Sequence, residues 1–77
     1  MPHVILKMVE GRTEEQKRAL ADALTKAVTE SLGCSEDLVS VAIEDFKDEE
    51  WMTKVFAPDI QQRSDTIYKM PDYGPGD

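Results

Sequence analysis

The chain has 77 residues, 40% hydrophobic and 32% charged, a balance that fits a folded globular domain and excludes intrinsic disorder. This length allows a single domain over residues 1–77, one that buries only about 60–65% of the surface its unfolded form exposes. Nine Lys and Arg stand against 16 Asp and Glu, a net charge of −7, which argues against nucleic acid and anionic membranes as partners.

In chain order, residues 3–9 (His3-Val4-Ile5-Leu6-Lys7-Met8-Val9) read as a strand with Val4, Leu6 and Met8 on one face. Glu10-Gly11-Arg12 is a turn. Thr13-Glu14-Glu15-Gln16 fits a capping box, and the two glutamates suit a helix N-terminus. The helix is predicted over 14–32, with Leu20, Leu24, Ala27, Val28 and Leu32 as its apolar stripe and Gly33 just past its end. A second strand is predicted over 39–45, where Val39, Val41 and Ile43 alternate with Ser40, Ala42 and Glu44. Short helices follow over about 49–69. Asp48 is the expected cap of one carrying Trp51, Val55 and Phe56, and Pro58 is expected in the first turn of another with Ile60, Ile67 and Tyr68. The tail, 71–77, is turn chemistry and is expected to be mobile.

Strand, helix and strand make a single βαβ unit, so the fold class is α/β (α+β) with short C-terminal helices. A 19-residue helix spans about 28 Å and a seven-residue strand about 23 Å, enough to return the chain for a parallel pairing. Two strands alone are marginal. Small domains gain support from disulfides, metals or a second subunit. Cys34 is the single cysteine, and with His3 it cannot complete a four-ligand zinc site. A sheet completed by dimerisation is therefore expected.

Most chemical motifs are absent: no phosphate-binding glycine loop, no zinc spacing and no Ser-His-Asp set. Cys34 follows a helix C-terminus, which disfavours a thiolate. His3 reads as a strand or surface residue, and the acidic runs as helix starts. No apolar run approaches the roughly 18 residues needed to cross a bilayer. The segment Met1–Lys7 lacks the basic flank and long apolar core of a signal peptide, so a cytoplasmic protein with no membrane partner is expected. Pro2 is different. Removal of Met1 leaves Pro2 as a free secondary amine. Ordinary N-terminal amines titrate near 7.7–8.0. Burial in an apolar pocket beside a cation lowers that value and yields a neutral base at cytosolic pH.

Pro2, the short apolar strand, Glu10-Gly11-Arg12, Thr13-Glu14-Glu15-Gln16-Lys17 and an amphipathic helix together resemble the 4-oxalocrotonate tautomerase superfamily, over roughly residues 2–46. The resemblance implies a small βαβ enzyme without cofactor or metal, in which Pro2 shuttles a proton between enol and keto forms and Arg12 binds a substrate carboxylate. The best-known branch of that family has a second arginine in strand two, where this chain has Ser40. Trp51 stands where the family places an aromatic wall of the active site, and Phe56 joins it in lining the pocket on this reading. The glycine-rich hairpin that follows in hexameric members is missing. The longer C-terminal half resembles the dimeric phenylenolpyruvate tautomerase-like subgroup, which favours a homodimer over a hexamer.

Pro2 and Arg12 are separated by a whole strand, roughly 30 Å of extended chain. Arg12 is thus expected to serve the Pro2 of a second subunit. The substrate expected is a 2-hydroxydienoate or phenylenolpyruvate-like enol acid. Two other readings stand beside this one: a hydratase, decarboxylase or dehalogenase using a protonated proline, and a non-catalytic dimeric binding module.

Overall fold

The computed structural model describes residues 1–76. These divide into two compact units, the first ending at Asp45 and the second starting at Phe46. Asp77, the last residue of the expected tail, lies outside the described residues.

The first unit is built on β1 (His3–Val9), α1 (Glu14–Leu32) and β2 (Ser40–Phe46), whose last residue opens the second unit. The two strands form one sheet. The Ser40 N–H donates to the Pro2 carbonyl at 3.1 Å, so the strands begin side by side and run in the same direction. That pairing requires a long crossover, which α1 supplies.

Local chemistry sets the limits of α1. The Gln16 N–H donates to the Thr13 hydroxyl at 3.1 Å, and the Thr13 N–H donates to Gln16 Oε1 at 2.9 Å. Two otherwise unpaired donors at the helix start are thereby satisfied. Gly33 ends the helix in the left-handed region, φ 68°, with its N–H on the Thr29 carbonyl at 2.9 Å. The apolar stripe differs from the sequence expectation at two places. Leu20, Leu24 and Val28 are half-buried, but Ala27 and Leu32 are exposed. Ala27 sits about 60° around the helix from the middle of the Leu20–Val28 face, on the Leu20 side. Leu32 lies about 80° from that middle on the Val28 side, at the end of a helix of about 28 Å, which outruns strands of about 23 Å.

A 3₁₀ turn, Glu36–Leu38, leads into β2. The Val39 N–H closes that turn onto the Glu36 carbonyl, so the strand begins at Ser40, one residue later than the alternation of apolar residues suggests.

The second unit differs more from expectation. Asp48 is not a cap: it lies inside a 3₁₀ turn, Asp48–Glu50, preceded by Lys47, which makes no side-chain cap bond. Pro58 does not open a new helix. It lies within one π-helical segment, Met52–Gln61, which ends with the Gln62 N–H on the Ala57 carbonyl at 3.0 Å. In an α-helix the proline ring would strike the carbonyl four residues back. The wider π turn relieves that clash, and proline has no N–H to leave unpaired. Ser64–Thr66 form a last 3₁₀ turn. Ile60 and Ile67 are half-buried, but Tyr68 is fully exposed and joins no common face with them.

Val55 and Phe56, 3% and 5% exposed, are the fully buried apolar side chains among the described residues. In the same unit Phe46 lies edge-on to Trp51 at 6.3 Å, and the Tyr73 ring is 5.5 Å from that of Phe56. The Trp51 indole N–H also donates to the Tyr73 hydroxyl at 2.8 Å. The segment expected to be a mobile tail is therefore tied down at Tyr73.

Candidate active site

Pro2 is half-buried at the entrance to β1, and its carbonyl is held by the Ser40 N–H. Its ring is thus fixed by the start of the β ladder although it is the second residue of the chain. Met1 before it is 93% exposed. While Met1 is attached, the Pro2 nitrogen is an amide with no useful basicity. Once Met1 is cleaved, it is a secondary amine.

Beside Pro2, His3 Nδ1 lies 2.6 Å from the Ser40 hydroxyl. From the sequence, His3 is a strand or surface residue and a lesser candidate for the site, and Ser40 stands where the family has an arginine. The structure pairs them. Their positions, 37 residues apart, carry no local signal of the pairing, although β1 and β2 starting in register would have placed them side by side.

Arg12 lies past the other end of β1, about 23 Å of strand from Pro2. Gly11 reaches φ 129°, a backbone conformation that side-chain-bearing residues rarely adopt, and this turns the chain after Glu10. Arg12 Nη1 then donates to the Val9 carbonyl at 3.1 Å. Of its five N–H donors, this contact uses one. The guanidinium is exposed and borders a groove of about 280 Å³ lined also by Leu6, Met8, Gln16, Lys17 and Leu20. An apolar floor beside a permanent cation suits a carboxylate carrying a hydrocarbon chain.

Gln16 and Lys17 are members of this groove that the sequence reading did not single out for the site. Lys17 bridges α1 to the strand by a hydrogen bond to Asp45 and also lies 3.7 Å from Glu14. The hydrogen bond to Asp45, above all, raises the Lys17 ammonium above the ordinary lysine value of 10.5. Lys17 is therefore cationic wherever the protein works.

In the second unit Trp51 is half-buried and Phe56 buried, joined through Tyr73. One turn before Lys54, Glu50 accepts a 2.5 Å hydrogen bond from its ammonium. That bond holds the Glu50 carboxyl below the ordinary value of 4.5. Among the described residues, no three His, Cys, Asp or Glu side chains gather as metal ligands, and no helix is long and apolar enough to cross a membrane.

A family model described as "Tautomerase enzyme" matches residues 2–57. A "Probable tautomerase" of Xylella fastidiosa (strain 9a5c) is 42% identical over 74 residues, which is 96% of this chain and 90% of that protein. A "2-hydroxymuconate tautomerase" of Bacillus subtilis (strain 168) is 51% identical over 47 residues, 61% of this chain and 76% of that one. Among solved structures, a 4-oxalocrotonate tautomerase isozyme from Methylibium petroleiphilum superposes with a TM-score of 0.63 at 42% identity, covering 65% of this chain and 81% of its own.

Proposed function

Taking as premise that the chain belongs to the tautomerase family of enzymes, we propose that it is a cofactor-free keto–enol isomerase of 2-hydroxydienoate or phenylenolpyruvate-like enol acids, with Pro2 as general base. The supporting observation is the placement of Pro2: the family match starts at this residue, and the first ladder bond of the sheet holds it at the N-terminal end of β1.

The reaction begins with the neutral amine of Met1-processed Pro2. It takes the proton of the enol hydroxyl; the freed O–H electron pair forms the C=O bond, and the C=C electrons move to the far carbon. Prolinium then gives that carbon its proton. One proton leaves oxygen and one reaches carbon, so the product is an isomer and the base is restored. Arg12 of a second copy holds the substrate carboxylate and offsets the charge of the dienolate. The strand between Pro2 and Arg12 excludes the Arg12 of the same chain from this role. Trp51 supplies apolar surface for a diene or aromatic side chain, whereas Phe56, expected to line the pocket, is 5% exposed and packs in the core; exclusion of water from the amine is what keeps it uncharged. The likeness to a protein named 2-hydroxymuconate tautomerase supports the 2-hydroxydienoate class. This reading requires a second copy, and the missing glycine-rich hairpin favours a homodimer over a hexamer.

The test compares ketonisation by the Met1-processed protein, verified by intact mass, with Pro2→Ala. Loss of a positioned general base is expected to slow turnover by about 10²–10⁴-fold. Equal rates would remove Pro2 from the mechanism.

A further inference from the structure

Strand register places His3 beside Ser40, but it does not dictate the side-chain hydrogen bond between them. Both side chains are exposed, so burial does not force the pair together, yet the 2.6 Å separation is at the short end for a hydrogen bond. The backbone of Ser40 is fixed independently by its N–H on the Pro2 carbonyl. The Ser40 hydroxyl is thus held by His3, on a residue whose backbone is bonded to that of the proposed base.

A serine hydroxyl has one proton to give. If His3 Nδ1 carries a lone pair, that proton is spent on the imidazole and only oxygen lone pairs face outward. If Nδ1 carries the proton, Ser40 Oγ accepts from it, and its own O–H is free to donate outward. An anionic oxygen on the sheet beside Pro2 selects the second arrangement, because only that one offers it a donor. Neither member of the pair needs a net charge for this.

We propose, resting on the reading of Pro2 as the base, that His3 is a positioning residue. It turns the Ser40 hydroxyl toward a carboxylate or enolate oxygen of the substrate, and this neutral anchor makes the site select monocarboxylic over dicarboxylic enol acids. A second carboxylate would meet one neutral hydroxyl on a chain of net charge −7, where a cation would be needed to offset its desolvation.

His3 is the single histidine, so its ring nitrogens can be read without ambiguity by ¹⁵N NMR of the processed wild-type protein. In the complex saturated with trans-cinnamate, an unreactive monocarboxylate, Nδ1 is expected to carry the protonated signature; a deprotonated Nδ1 there overturns the proposal. Kinetics with phenylenolpyruvate and 2-hydroxymuconate give the second arm. Ser40→Ala and His3→Leu are each expected to raise KM for phenylenolpyruvate about tenfold, with a much smaller change in kcat. The double variant should be no worse than either single one. His3→Asn, whose amide N–H can stand in for Nδ1–H, should recover most of the loss, and Ser40→Arg should move the kcat/KM preference toward 2-hydroxymuconate about tenfold. Additive losses, an unchanged KM, failure of His3→Asn to restore it, or no shift in preference would each refute the pair as the anchor. Pro2→Ala run alongside separates the two readings: if it retains turnover the base assignment falls, whereas its loss with normal Ser40 and His3 variants removes only the anchor.

Discussion

At the scale of single residues, Tyr73 draws a feature of the sequence into the folded structure that its neighbours conceal. It sits in Pro71-Asp72-Tyr73-Gly74-Pro75, a run that reads as turn and tail. Its hydroxyl nonetheless accepts from Trp51, and its ring packs on buried Phe56. Replacing Tyr73 by Phe keeps the ring contact and deletes the acceptor. We expect a loss of about 0.5–1 kcal/mol in unfolding free energy, together with a shifted emission from Trp51, the single tryptophan. Emission and stability identical to wild type would show that the hydrogen bond is not made in solution. Arg12 makes a complementary point. Its identity was readable, but the use of Gly11 at φ 129° to fold it back on Val9 belongs to the backbone.

Among the elements, α1 is the most local: its start is a capping box and its end a left-handed glycine. Its attachment to β2 is not local. Lys17 and Asp45 are 28 positions apart and joined by a hydrogen bond. Because that bond raises the Lys17 value in the folded state, folding gains from it fully at pH below the ordinary 10.5 and loses the gain as pH rises through the higher folded value. Urea unfolding from neutral pH into the range above 10.5 should therefore show an alkaline decline that Asp45→Asn flattens. The same decline in both proteins would assign it to other groups. The π-helical segment is the contrasting case. Pro58 signals a helix start, and the structure carries the helix through it by widening the turn.

For the whole molecule, the decisive fact is how little one chain buries. Val55 and Phe56 are the buried core among the described residues, α1 has no fully buried residue, and Ile5 and Leu32 remain 55% and 67% exposed. A two-stranded sheet with open edges is marginal by itself. Exposed apolar surface and an incomplete sheet both favour a second copy, as does the distance between Pro2 and Arg12. On the proposed dimer, each site takes Pro2 from one chain and Arg12 from the other. Pro2→Ala and Arg12→Ala chains, each nearly inactive alone, should then recover about one quarter of wild-type sites when unfolded, mixed equally and refolded, since half the dimers are mixed and each holds one intact site. No recovery on mixing, with dimers formed, would place both residues in one chain's site.

The helix cap, the period of α1, the strand alternation and the Pro2-to-Arg12 segment were readable from the chain because each is set within a few residues by backbone donors, side-chain period or glycine geometry. From these the βαβ order and the family followed. Three pairings were decided only in the tertiary structure: His3 with Ser40 across 37 positions, Lys17 with Asp45 across 28, and Trp51 with Tyr73 across 22. No local period specifies which polar group will meet which once strands align and a tail returns. The sequence thus determined the βαβ elements and the candidate base, while folding decided the helical path through Pro58 and the partners that tie these elements together.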